Sequence, residues 1–204
     1  MKQYPSIPKS TLFGIDVIVF DKLDGSNIRS EWNKKKGFYK FGSRKQLIDE
    51  KHFLGKSIEI IGSYQEAFSA WAATKKIEQA TCYFEFYGPN SFAGDHDKGD
   101  DHVCSLLDVD IYKQGFLAPG DLVKAFQGIL PMPTVLYTGS LTKEIVEQIE
   151  NGTFPGMSLE GVVCKAPAFK KWAAPVMFKI KSRKWLEAVV AKHGKDTAAL
   201  LDKL

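Results

Sequence analysis

Cysteine is scarce in this chain and long apolar runs are missing. Only Cys82, Cys104 and Cys164 occur among 204 residues, far apart and inside apolar segments. An odd, scattered set with no Cys-x-x-Cys argues against disulfides and zinc, and fits buried thiols in a reducing compartment. No apolar stretch approaches the ~18 residues that a membrane span needs. The opening Met1-Lys2-Gln3-Tyr4-Pro5 lacks the apolar core of a signal peptide. A cytoplasmic protein with no membrane partner is expected. A strong excess of one charge is also lacking: 28 Lys and Arg against 24 Asp and Glu leave a net charge of +4, which permits a polyanionic partner without demanding one. Internal repeats, low-complexity segments and linker-like stretches are absent. The length suits one domain with a proper core, so a single domain spanning residues 1–204, with no accessory domain, and a monomer are expected.

What is present centres on Asp21-Lys22-Leu23-Asp24-Gly25-Ser26-Asn27. It follows the apolar run Ile15 to Phe20, which reads as a buried strand. A strand ending in Lys-x-Asp-Gly presents one amine at the mouth of a turn, and Gly25 suits a sharp bend or close approach to a ligand. Such an amine can attack a phosphoryl group and form a phosphoramidate. From these seven residues alone, an ordinary Asp-Gly hairpin with a solvated lysine reads equally well.

The first ~45 residues read as a β-meander, with alternating strands at Asn27–Trp32 and Phe38–Phe41 around a hairpin loop at Lys34–Gly37. The return strand delivers Ser43-Arg44-Lys45, and an arginine just past a strand end can fork onto a phosphate or ribose. Ser63-Tyr64-Gln65-Glu66 reads as a capping box with Ser63 as N-cap, opening a helix whose apolar face is Tyr64, Ala67, Phe68, Trp71 and Ala72. Thr81–Gly88 is an aromatic strand holding one acid, Glu85. A buried carboxylate needs something to bind, and an edge strand facing solvent is the alternative. Asn90–His102 is polar and acidic but has no ligand spacing on a regular element, so a solvated loop is expected rather than a metal site. Val103–Ile111 reads as a strand, Asp121–Ile129 and Thr142–Glu150 as short surface helices, and Thr134–Tyr137 as a short strand. Glu160 precedes the β-branched strand Gly161–Lys165. In Met177-Phe178-Lys179-Ile180-Lys181 the lysines share one strand face, their ammonium groups ~7 Å apart, a spacing that can clamp phosphates. An amphipathic helix from Ser182 onward closes the chain.

Taken in order, Lys-x-Asp-Gly-Ser-Asn, Ser-Arg, Phe-Glu-Phe-Tyr-Gly, Leu-Glu-Gly-Val-Val-x-Lys and Phe-Lys-Ile-Lys resemble the covalent nucleotidyltransferases: ATP-dependent RNA ligases, DNA ligases and capping enzymes. The closest likeness is to the RNA ligase 2 family, over about Asp16 to Trp185. The resemblance implies an α+β nucleotidyltransferase domain, the ATP-grasp-like ligase adenylation fold, of two twisted, mostly antiparallel sheets flanked by helices. It implies an ATP-dependent ligase that makes a covalent lysyl-AMP, passes AMP to a 5′-phosphate end and seals that end to a 3′-hydroxyl. By resemblance the catalytic residues are Lys22, Glu160, Lys179 and Lys181. ATP would be bound by Asp21, Lys22, Asn27, Arg44, Glu85, Glu160, Lys179 and Lys181, and Mg²⁺ or Mn²⁺ by Glu160, Glu85 and Asp24. RNA is the implied partner, with DNA and hybrid ends open. A DNA ligase-like or capping-type enzyme and a non-catalytic end-binding module are the alternatives. One departure stands out: where the family often has a Phe-Asp pair whose ring stacks on adenine, this chain has Leu107-Asp108. Free lysine has a pKa near 10.4, leaving about one molecule in ~2,500 neutral at pH 7. Lys179, Lys181 and a divalent metal are therefore expected to lower Lys22 by ~2–3 units. Lys34, Lys35, Lys36 and Lys45 are expected to grip the polynucleotide near the lysine turn.

Overall fold

Strand alternation sorts this chain into two sheets, each with one apolar face turned outward under helices and one mixed face turned toward the other sheet. The computed structural model describes residues 1–89, 92–93, 96–167 and 175–197. Asn90 and Asp95 of the acidic loop lie outside them. The smaller sheet has the order β10-β9-β1-β8, built from β1 (Asp16–Asp21), β8 (Val135–Ser140), β9 (Gly161–Lys165) and β10 (Met177–Lys181). The larger has the order β4-β3-β2-β5-β6-β7, from β2 (Ser26–Asn33), β3 (Gly37–Ser43), β4 (Leu47–Ile48), β5 (Gln79–Tyr87), β6 (Val103–Ile111) and β7 (Gly115–Phe116). Every strand pair in both sheets is antiparallel. The expected α+β fold of two antiparallel sheets flanked by helices is what forms.

The helices are α1 (Lys56–Ser63), α2 (Gln65–Thr74), α3 (Pro119–Phe126), α4 (Lys143–Glu150) and α5 (Arg183–His193). Under the larger sheet, Ile28 and Trp32 of β2, Phe84 of β5 and Leu106 of β6 pack with Ile61 of α1, Phe68 of α2 and Phe126 of α3. Phe68 is its hub, in ring contact with Trp32, Phe38, Trp71 and Phe126. Under the smaller sheet, Val17, Val19, Val162, Cys164, Phe178 and Ile180 pack with Val146 and Ile149 of α4. The period of two then turns Phe20, Val163, Lys165, Lys179 and Lys181 toward the space between the sheets.

Several local readings change. The chain does not meander from β1 into β2: β1 pairs with β8 and β9, and β2 with β3 and β5. The lysine turn is therefore the crossing from one sheet to the other, not a hairpin. Gly25 is required there by close approach, since a Cβ would lie 2.4 Å from the Phe86 carbonyl oxygen. Ser63 is not an N-cap. It ends α1, its hydroxyl donates to the Ile60 carbonyl at 2.7 Å, and Tyr64 takes the cap position of α2 with no side-chain bond. The helix α1 was not legible beside α2, because the two adjoin with only Tyr64 between them. α3 is a surface helix with one face in the larger core: Leu122 and Phe126 are fully buried, while Asp121 and Lys124 are exposed. β5 lies between β2 and β6, so Glu85 is not on an edge strand. The three cysteines are free and buried.

A stretch at the N-terminus, passed over in the sequence, ties the sheets together. The Met1 amine pairs with Glu31 and Lys2 with Asp110 on the larger sheet, while Lys179 N–H of the smaller sheet donates to the Pro8 carbonyl at 3.0 Å. Because Phe68 meets four rings in a closed core, Phe68→Ala should cost about 3–5 kcal/mol. Urea unfolding followed by far-UV circular dichroism is the measurement.

Candidate active site

The cleft between the sheets has a volume of about 590 Å³ and is lined by residues of both. At its centre the Lys22 ammonium donates to Glu160 Oε2 at 2.7 Å. Backbone pairing sets this contact: β1 and β9 are neighbours, and Lys22 N–H donates to the Gly161 carbonyl at 2.9 Å. Gly161 has φ +131°, and a Cβ there would come within 2.2 Å of the Ile180 carbonyl oxygen. Only glycine lets β9 start so close to β10. Ser182 N–H donates to the Glu160 carbonyl at 3.0 Å, which fastens the acid to the start of α5.

All the residues expected to bind ATP or metal or to take part in catalysis reach this cleft: Asp21, Lys22, Asp24, Asn27, Arg44, Glu85, Glu160, Lys179 and Lys181 line it. Asp24 accepts from the Ala93 N–H at 2.6 Å. Asn27 donates to the Phe84 carbonyl at 3.3 Å. Lys179 and Lys181 are 7% and 8% exposed, so theirs is not a solvated strand face. Lys45 also lines the cleft, but Lys34, Lys35 and Lys36 do not. They sit past the far end of β2, an eight-residue strand that begins beside the lysine turn, roughly 25 Å of strand away. Lys34 is paired with Glu78 there. The grouping of those four lysines as one surface is therefore wrong.

Three features escaped sequence reasoning. Ser158 donates from its N–H and hydroxyl to Asp21 Oδ1, at 2.8 and 3.0 Å, and its hydroxyl lies 3.2 Å from the Lys22 carbonyl. It joins the strand that leads into Lys22 to the loop carrying Glu160, and no spacing signals such a link. In the cleft wall, the Lys165 ammonium donates to Asp108 Oδ2 at 2.7 Å and to the Leu107 carbonyl at 2.8 Å, above the Phe20 ring, and the Tyr4 hydroxyl donates to the same carboxylate. Leu107 supplies an aliphatic wall where an aromatic ring is common in the resembling family. The third feature is the contact of Lys181 with Trp185, described below.

Burial and crowding set the protonation of the cleft. Burial, reinforced by the Glu160 and Asp24 carboxylates and opposed by Lys22 and Arg44, pushes Glu85 from the ordinary 4.5 up to about 8. Burial likewise raises Glu160 against the pull of Lys22. Lys179 falls to about 8, through burial first and then the Lys181 and Lys22 ammonium groups. Lys22 goes the other way from expectation. Burial pulls it down, but Glu160, Glu85 and Asp24 outweigh that and hold it above its usual value. At this amine the pull of the carboxylates outweighs burial, and Glu160 is in direct contact with it.

The acids offer oxygen donors only, the set that hard divalent cations take. Glu85 and Glu160 are raised first by burial, and a cation would favour their charged forms. Among the described residues no three such side chains converge closely enough to enclose an ion, so an ion there would share its coordination with phosphate oxygens and water.

A model of the RNA ligase family matches residues 15–181. The chain belongs to the RNA ligase family. The family's match spans the first lysine motif through the last, as the resemblance implied. Solved structures agree on the fold. An RNA ligase of Naegleria gruberi, in a glutamate-to-alanine mutant with ATP and Mn, aligns at a TM-score of 0.67 and 16% identity, over 96% of this chain and 59% of that one. The same ligase with pyrophosphate aligns at 0.59 and 18%, over 89% and 52%. A lysine-to-alanine mutant with ATP and Mn gives 0.59 and 18%, over 86% and 51%. The chain thus spans little more than half the length of these ligases. No curated protein matches it. No helix among the described residues is long and apolar enough to cross a membrane.

The Glu85 shift has a stability consequence. A carboxyl group raised from 4.5 to about 8 contributes stability that is whole below the lower value and is lost as the pH rises through the upper one. Glu85→Gln should therefore match the parent near about pH 5 and become the more stable of the two by about pH 9. Urea unfolding of both proteins across that range tests it.

Proposed function

We propose that this protein is an ATP-dependent RNA ligase that works through a covalent lysyl-AMP on Lys22. The observation that carries the reading is the Lys22–Glu160 contact inside a cleft that also holds Lys179 and Lys181. ATP enters between the sheets, with its base against Phe20, Leu107 and Val163 and its ribose toward Arg44 and Glu85. Lys179 and Lys181 meet the α-phosphate and stabilise the charge that develops on it. Lys22 passes a proton to solvent and leaves its contact with Glu160, its nitrogen bonds to the α-phosphorus, and the bond from that phosphorus to pyrophosphate breaks. A divalent cation, Mg²⁺ or Mn²⁺, held by Glu160 with Glu85 or Asp24 would offset phosphate charge. AMP then passes to a 5′-phosphate end, and a 3′-hydroxyl displaces it to close the strand.

Incubation with ATP and Mg²⁺ should add the mass of one adenylate, and Lys22→Ala should abolish the adduct. An adduct that survives the substitution assigns the nucleophile elsewhere. Glu160→Ala should slow both adenylation and sealing by on the order of a hundredfold or more, the scale of several kcal/mol of lost charge stabilisation. Sealing at the parent rate in limiting Mg²⁺ would remove Glu160 from the chemistry.

RNA engagement is the second testable part. Each phosphate neutralised adds about −0.7 to −0.9 to the log–log salt slope of binding. Joining should therefore fall steeply with NaCl while adenylation changes little. Lys45→Ala should weaken joining and flatten its slope, and neutralising Lys34, Lys35 and Lys36 together should do neither. Paired salt titrations of the two steps decide this.

A further inference from the structure

Trp185 is 3% exposed, lines the cleft, and makes no hydrogen bond through its indole Nε1 among the described residues. What it offers the site is its face. The Lys181 ammonium lies 4.4 Å from the ring centroid, within the range of a cation–π contact. We propose that Trp185 is a positioning residue, whose ring face holds the Lys181 ammonium where its N–H groups meet the nucleotide phosphates. The inference rests on the adenylation reading, which gives Lys181 a phosphate to meet.

The contrast with Lys22 explains why a ring serves here. Lys22 is bound by the Glu160 carboxylate, and that contact has to break before the amine can attack. A ring attracts the ammonium through its quadrupole and brings no net negative charge to repel an arriving phosphate. The contact between Lys181 and the ring need not break when a phosphate binds. The ring itself neutralises none of the cation's charge before the phosphate arrives.

The ring is also held in place by the groups around the chemistry. Trp185 occupies the first turn of α5, where its N–H donates to the N-cap hydroxyl of Ser182 at 3.0 Å. Ser182 is bonded in turn to Glu160 and to the Leu159 carbonyl. The indole packs in one cluster with Val189 and with Ala93, the residue whose N–H binds Asp24. One side chain thus lies between a phosphate-facing lysine and the backbone segments that carry two of the acids.

Removing the ring also removes core packing, so Trp185→Leu alone cannot separate the two roles. Site-specific replacement of Trp185 by tryptophans carrying one to four ring fluorines keeps the shape and drains the π face stepwise. Single-turnover adenylate formation should fall with each fluorine, by roughly tenfold across the series, at constant Tm. Trp185→Phe should keep most of the rate, and Trp185→Leu should fall at or below the end of the series. A flat series on an active enzyme overturns the inference and leaves the adenylation reading intact. A parent protein that binds ATP but forms no adduct overturns that reading instead. The series is then followed on the ATP dissociation constant, where stepwise weakening supports the Trp185 role and a flat response overturns it. A parent that binds no ATP overturns both.

Discussion

The ion pair of Lys22 and Glu160 depends on two strands being neighbours in one sheet. β1 ends in the lysine, β9 begins just after the acid, and the hydrogen bond from Lys22 N–H to Gly161 O brings the ends together. The rest of the cleft is arranged around that junction. β10 lies against β9 and turns its two lysines to the same side. The crossing at Gly25 carries the chain to β2, beside the strand bearing Glu85. Ser158 and Ser182 fasten the Glu160 loop to what precedes and follows it.

This arrangement is expensive for the folded chain. Two acids are held above their ordinary pKa and one lysine below it, all by burial and like-charge neighbours. Such shifts are stored opposition to folding, and they concentrate where a charged substrate would relieve them. The two apolar layers stabilise the sheets that hold this opposition in place. In the larger one, Phe68 and its ring neighbours form a core that takes no part in the cleft.

Much of the site was legible because its residues are chemically conspicuous. An acid amid aromatics at Glu85, paired lysines at Lys179 and Lys181, and an amine before Asp-Gly each break a local pattern, and all three reach the cleft. Strand positions followed from alternation, which the outer face of each sheet obeys. What escaped was whatever depends on long-range placement. A β-meander and a two-sheet crossing share the same local pattern, so β1 was assigned to the wrong neighbours. Ser63 satisfied the spacing of a capping box, but its hydroxyl found the carbonyl of Ile60 behind it. The weight of the carboxylates on Lys22 escaped because the order of motifs says nothing about which charges gather around it.

The pairing of β1 sets an order on how the protein is made. In the larger sheet, β2 meets β3 across a short hairpin, and β5 and β6 follow by Ile111. β1 must wait for β8 and β9, more than a hundred residues further on, and such distant pairings form late. During synthesis the larger sheet can therefore close while β1 still has no sheet to join. The amine that would bear the adenylate meets its acid only once Glu160 has emerged, and the two lysines of β10 join them only about twenty residues later.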